Sequence, residues 1–67
     1  MTAAELLVMA MLLHNRAKPV GKGKRPDGWK DLLREAARLR SEAFKLDPGY
    51  DPKHEHFMAF YRDMGVA

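Results

Sequence analysis

The sequence contains no cysteine among its 67 residues. This absence excludes disulfide bridges, thiolate metal sites and a cysteine nucleophile. A single domain this short buries only about 60% of the surface that its unfolded chain exposes, so its stability margin is small. Small domains usually gain stability from a disulfide, a metal or a partner chain. With disulfides excluded, we expect association with another protein chain.

Long apolar segments are also missing. The longest apolar run, residues 6–13, has eight residues, whereas a transmembrane helix needs about 20. A secretory signal carries positive charge before its apolar region, but the only charged side chain before this run is Glu5. We therefore expect a cytoplasmic protein that makes no membrane contact. A phage-encoded protein that resides in the virion would have the same features.

Acidic residues are absent from residues 16–26, although the chain as a whole has nine. The net charge is +3 and the isoelectric point is about 9.5. This moderately basic balance permits contact with nucleic acid or an acidic partner without requiring either. The positive charges of this segment are those of Arg16, Lys18, Lys22, Lys24 and Arg25.

The pattern at the start of the chain predicts a helix over residues 3–16. Thr2 and Glu5 have the spacing of a capping box, in which each side chain bonds the backbone amide of the other residue. Arg16, together with His14 when protonated, lies where a cation suits the negative end of the helix dipole. Residues 17–26 contain two prolines and two glycines, which predict a loop.

A second helix is predicted over residues 28–46, with Asp27 as its N-cap. Its apolar residues recur at steps of three and four, which is the pattern of an amphipathic helix; they are Trp29, Leu32, Leu33, Ala36, Leu39, Ala43 and Leu46. Three oppositely charged pairs at three-residue spacing should lie on its outer side; they are Asp31 with Arg34, Glu35 with Arg38, and Glu42 with Lys45.

A third helix is predicted over residues 52–64, after a tight turn at residues 47–51. Asp51 is placed to cap it and Pro52 to occupy its first position. An apolar stripe at helical spacing follows, and Gly65 is placed to end the helix. The sequence therefore predicts an all-α fold, a small three-helix domain spanning residues 1–67, with a basic Gly/Pro loop between the first two helices.

The first helix is apolar around its whole circumference, which is the feature most informative about function. A helix of this kind is normally buried on every side, and two short companion helices cannot enclose it. We expect a second protein chain to cover the remainder, through an interface comprising Leu6, Leu7, Met9, Ala10, Met11 and Leu13. The alternative is that this helix is the central core helix and that a few exposed apolar side chains are tolerated.

The basic segment is the second functional candidate. Lysine and arginine side chains neutralise phosphate, and glycines let backbone amides approach it. Arg16, Lys18, Lys22, Lys24 and Arg25 are therefore candidate contacts to a nucleic-acid backbone. The alternative is a solvated connector that is kept soluble by its charge. The segment is not a P-loop, because Lys24 is followed by arginine and no strand precedes it.

No catalytic, cofactor-binding or metal-binding residue is predicted. His54 and His56 are two residues apart on a predicted helix, so their side chains point about 200° apart and cannot share one metal ion. Few hydroxyl groups are present, and none forms an evident serine–histidine–acid set. We therefore expect that the protein is not an enzyme.

These observations favour a noncatalytic helical interaction module that associates through the first helix. It would either self-associate or be a small subunit of a larger assembly, and a phage or virion assembly is compatible with its size. The alternative is a small basic nucleic-acid-binding or regulatory protein that contacts the phosphate backbone through residues 16–25.

Overall fold

A computed structural model describes all residues from 1 to 67. The chain forms three α-helices, α1 (Ala3–Arg16), α2 (Trp29–Leu46) and α3 (His54–Asp63). The only extended pairing is an isolated antiparallel bridge between Val20 and Lys24. The predicted all-α, three-helix fold is therefore confirmed.

Helix α1 begins at the predicted capping box. The Thr2 hydroxyl accepts a hydrogen bond from the Glu5 amide at 3.1 Å, and the Glu5 carboxylate accepts one from the Thr2 amide at 2.9 Å. Both interactions satisfy amide groups that have no partner within the helix. The local sequence thus fixes the first residue of α1 without help from the rest of the fold.

Helices α1 and α2 form an antiparallel hairpin with a core of small residues. Leu7 in α1 and Ala43 near the end of α2 line the same surface crevice, as this arrangement requires. Alanine on both helices lets their backbones approach closely, and Leu33 and Tyr61 are the largest fully buried side chains. The buried alanines are Ala3, Ala10, Ala17, Ala36, Ala37 and Ala43.

The start of α2 differs from the prediction. Gly28, not Asp27, is its N-cap, with φ 79° and no side-chain cap. The Trp29 amide bonds the Pro26 carbonyl at 3.2 Å, so a backbone turn leads into the helix and Asp27 lies outside it. The three predicted ion pairs on the outer side are all present: Asp31 with Arg34, Glu35 with Arg38, and Glu42 with Lys45.

Helix α3 is shorter than predicted at both ends. Asp51 caps a turn that precedes the helix, because its Oδ1 accepts from the Lys53 amide at 2.9 Å and regular helix begins only at His54. At the other end, Gly65 has φ 76°. The Val66 amide bonds the Tyr61 carbonyl at 3.0 Å and the Gly65 amide bonds the Arg62 carbonyl at 3.1 Å. This is a Schellman motif, and the buried side chain of Val66 completes it.

None of the three helices combines the length and the apolar character that crossing a bilayer requires.

Candidate protein interaction surface

One side of α1 is apolar and exposed. Val8, Met9, Met11 and Leu12, here called the α1 apolar face, are between 39% and 60% exposed. The opposite side packs against α2 through Ala3, Leu6 and Ala10. Because α1 is apolar all round and contributes only one side to the core, large apolar side chains remain in contact with water.

The predicted interface residues are divided between the two sides of α1. Leu6 and Ala10 are buried in the core of the chain itself, so this structure does not present them to a partner. Leu7 and Leu13 are half-buried against that core, whereas Met9 and Met11 are exposed as an interface requires.

The sequence prediction missed Val8 and Leu12, two of the most exposed members of the face. At 100° per residue, both lie opposite the line that joins Ala3, Leu6 and Ala10. Choosing which side packs on α2 would have identified them, but an all-apolar helix gives no periodic signal for that choice.

Two opposite charges border the α1 apolar face. Glu5 lies near its N-terminal end and Arg16 at its C-terminal end, and neither forms an ion pair within the chain. The hydrogen bonds from Thr2 hold the pKa of Glu5 below its usual value, so its carboxylate is charged at neutral pH.

The basic loop, here taken as residues 16–25 so that it includes Arg16 at the end of α1, contains an ordered turn. The Lys24 amide bonds the Gly21 carbonyl at 3.1 Å, and the Val20 amide bonds the Lys24 carbonyl at 2.7 Å. The two central residues, Lys22 and Gly23, have φ values of 33° and 77°, as a type I′ turn requires. The loop therefore holds its lysines on a defined backbone.

The cations of the basic loop have no acidic partners. The five ion pairs of the chain use cations of α2 and α3 only, and Lys18, Lys22 and Lys24 are exposed. Arg25 differs from them, because it donates to the Ala17 carbonyl at 3.1 Å and its guanidinium lies 4.9 Å from the centre of the Trp29 ring. Arg25 therefore ties the loop to the helices, while the lysines are free to meet an anion.

A buried polar network joins the three helices. Tyr61 of α3 is fully buried, and its hydroxyl lies 2.9 Å from Nδ1 of His14 in α1. The Nε atom of Arg40 in α2 donates to the same hydroxyl at 3.0 Å. The Arg40 guanidinium also pairs with Asp51 at 3.3 Å and lies 3.7 Å from the centre of the Phe57 ring.

The surroundings of His14 favour its neutral form. Since Arg40 donates to the Tyr61 oxygen, the hydroxyl proton is free to bond an unprotonated Nδ1 of His14. Burial, and then the positive charges of Arg40, Lys18 and Arg25, hold the pKa of His14 below its usual value. His14 is therefore neutral at pH 7 and does not supply the cation that was predicted as one option for the end of α1.

Hydrogen bonding within this network is complete. Every buried side-chain nitrogen and oxygen has a hydrogen-bond partner, and burial raises the pKa of Tyr61, which keeps its hydroxyl protonated. His54 stacks on Phe44 with the ring centres 4.2 Å apart. No three His, Asp or Glu side chains lie close enough together to hold a metal ion.

No protein-family model, curated protein or solved structure matches this chain.

Proposed function

We propose that this protein is a noncatalytic helical interaction module that binds another protein chain through the α1 apolar face. The observation that carries the proposal is the exposure of Val8, Met9, Met11 and Leu12 on one side of one helix. Fully burying one such side chain stabilises a protein by roughly 1.5–3 kcal/mol. A contiguous group of exposed apolar side chains on a small domain is typical of a binding surface.

The alternative, that α1 is a core helix with tolerated exposure, predicts a different distribution of apolar residues. Scattered exposed apolar residues are common on protein surfaces and need no partner. On α2, exposed Leu46 and Phe44 lie near its C-terminal end, and Phe44 is covered in part by His54. The α1 residues instead form one continuous patch within little more than one helical turn, which favours a partner.

Site-specific photo-crosslinking in native lysate tests this proposal. A photoreactive residue is placed at Leu12, which is 60% exposed, or at Leu46, which is 59% exposed and serves as the matched control. We expect a discrete protein adduct from position 12 that is absent from position 46 and that disappears when Val8→Glu is added. Equal labelling at the two positions, or no adduct at position 12, would contradict the proposal.

A second candidate function is supported by the basic loop: contact with the phosphate backbone of a nucleic acid. The supporting observation is that Lys18, Lys22 and Lys24 are exposed on an ordered turn and lack acidic partners. Neutralising Arg25 as well would disturb its bond to Ala17. The test therefore changes only the three lysines to glutamine.

A mobility-shift titration against duplex DNA and single-stranded RNA checks this second function. With three phosphate contacts, the logarithm of the binding constant should fall with the logarithm of salt concentration with a slope of about −3 for duplex DNA. The triple lysine variant should lose binding, whereas the exposed cations Lys30 and Lys53, changed to glutamine together, serve as a control outside the loop. A salt-independent shift, or equal binding by both variants, would reject it.

A further inference from the structure

The polar borders of the α1 apolar face are self-complementary. Glu5 and Arg16 are eleven residues apart, which is close to three helical turns, so they lie on one line along α1. Met9 and Leu12 lie between them on the same side, at steps of four, three and four residues. This spacing is the one by which two helices pack side by side.

We propose that the chain covering the α1 apolar face is a second copy of this protein, with the two α1 helices antiparallel about a twofold axis. The axis passes midway between positions 10 and 11. Each Glu5 then lies opposite Arg16 of the other copy, and each Met9 lies opposite Leu12 of the other copy. This inference rests on the proposed function and specifies its partner.

Charge complementarity determines the direction of pairing. A parallel pair in register would place Glu5 against Glu5 and Arg16 against Arg16, which is repulsive at both ends. The antiparallel pair forms two opposite-charge contacts instead. Arg16 is free to form them because it has no ion pair within its own chain. In Glu5 only one carboxylate oxygen is held by Thr2, so the other can accept from arginine.

The shape of the surface suits this register. Two shallow depressions flank Met9; Val8 and Ala4 help line the first, and Leu12 and Arg16 help line the second. An apolar side chain of the second copy, placed opposite Met9, can enter them as a knob enters a hole. The antiparallel register presents Leu12 at that place.

The length of α1 sets the strength of the dimer. Fourteen residues form a helix about 21 Å long. An interface formed by one helix of this length and its copy is expected to be small, in the class of weak or transient contacts. We therefore expect a weak dimer whose association depends on concentration.

Charge reversal combined with mixing tests the pairing in the full-length chain. Glu5→Arg leaves positive charge at both ends of the face, and Arg16→Glu leaves negative charge at both ends. Each variant alone should associate at least about tenfold more weakly than the unaltered chain, because both end contacts become repulsive. An equimolar mixture should regain dimers, because each variant complements the other. Sedimentation equilibrium between about 1 and 500 µM measures all three samples.

Two controls keep the result interpretable. Lys53→Glu changes the net charge by the same amount as Arg16→Glu at an exposed position outside α1, and it should leave the dimer unchanged. Circular dichroism checks that the variants are helical, since Glu5→Arg removes the capping box. If that variant unfolds, Met9→Cys and Leu12→Cys chains are mixed and oxidised instead. The antiparallel register then requires the mixed disulfide to exceed both homodisulfides.

The possible outcomes separate this inference from the proposed function. Loss of association in the single variants with recovery in the mixture supports the antiparallel dimer. If the unaltered chain stays monomeric at 500 µM, the proposal that the partner is a second copy is overturned. The photo-crosslinking at Leu12 then tests the proposed function separately, because the mass of its adduct shows whether a different protein is bound. Dimers that are insensitive to either reversal overturn the antiparallel register while leaving association through α1 intact.

Discussion

The Nδ1 atom of His14 in α1 lies 2.9 Å from the hydroxyl oxygen of Tyr61 in α3, at the meeting point of all three helices. On the other side of the same hydroxyl lies the buried guanidinium of Arg40. The hydroxyl thus separates a permanently charged group from a titratable one. This arrangement makes the stability of the fold dependent on pH.

Stability should decrease when the pH falls below about 6.5. The pKa of His14 is lower in the folded chain than in the unfolded chain, where it is near 6.5. Between these two values the unfolded state binds more protons, so acidification favours unfolding. Urea denaturation at pH 7.5, 6.5 and 5.5 measures the change. His14→Gln, which can still accept from Tyr61, should reduce the dependence on pH, and the exposed His56→Gln should preserve it. Parallel curves for the unaltered chain and His14→Gln would reject this account.

Removing the Tyr61 hydroxyl should destabilise the fold by about 1–3 kcal/mol, because Arg40 then loses a buried acceptor and the ring remains otherwise unchanged. Tyr61→Phe is the variant, and its free energy of unfolding is measured with urea. Tyr50→Phe removes a hydroxyl from an exposed side chain that makes no hydrogen bond and should change stability by less than about 0.5 kcal/mol. Similar losses of stability in the two variants would show that the buried network does not stabilise the fold specifically.

Gly65→Ala should lower the free energy of unfolding by about 1 kcal/mol or more, because φ is 76° at this position and alanine is strained there. No neighbouring atom lies within 4 Å of an added Cβ, so the loss reports backbone conformation and not crowding. Gly49→Ala is the matched control. Its φ is not positive, and an added Cβ would only touch the Asp47 side chain at 4.0 Å. In thermal unfolding, the midpoint of Gly65→Ala should lie below that of Gly49→Ala. Equal midpoints would contradict the conclusion that α3 ends in a Schellman motif.

Lys22→Asn should stabilise the chain slightly, by about 0.5 kcal/mol, because asparagine accepts a positive φ more readily than lysine does. Lys24→Asn, in the paired part of the same turn, removes the same charge and should give no such gain. The two variants are compared by urea denaturation. If Lys24→Asn stabilises the chain as much as Lys22→Asn, the effect comes from relief of charge repulsion in the loop.

The periodicity of apolar residues predicted α2 and α3, because each of them carries one side that packs on its neighbours, whereas α1 was predicted from its capping box and from the loop that follows it. The capping box and Gly65 predicted two helix ends for local reasons that tertiary contacts leave intact. The predicted N-cap of α2 was wrong because the turn before the helix depends on the left-handed backbone of Gly28. Aspartate is a favourable N-cap residue in general, but this preference does not reveal where such a turn ends.

The buried network was missed, although the sequence contained a signal for it. Arg40 lies four residues after Ala36 and three before Ala43, on the apolar side of α2. A charged residue at such a position requires buried partners, but the sequence does not indicate which ones. Tyr61, His14 and Asp51 come from distant parts of the chain and are brought together only by packing. For the same reason, the exposed side of α1 could not be chosen from its own composition.

The basic loop joins the end of α1 to the start of α2, so its positive charge is concentrated at one end of the helical hairpin. The other residues carry nine acidic and seven basic side chains, and the body of the molecule is slightly negative. Such an electric dipole turns in the field of a polyanion and brings the hairpin tip to it first. The flank of α1 then faces sideways, so the two proposed functions would use different surfaces of the molecule, the tip for a nucleic acid and the flank for a second copy.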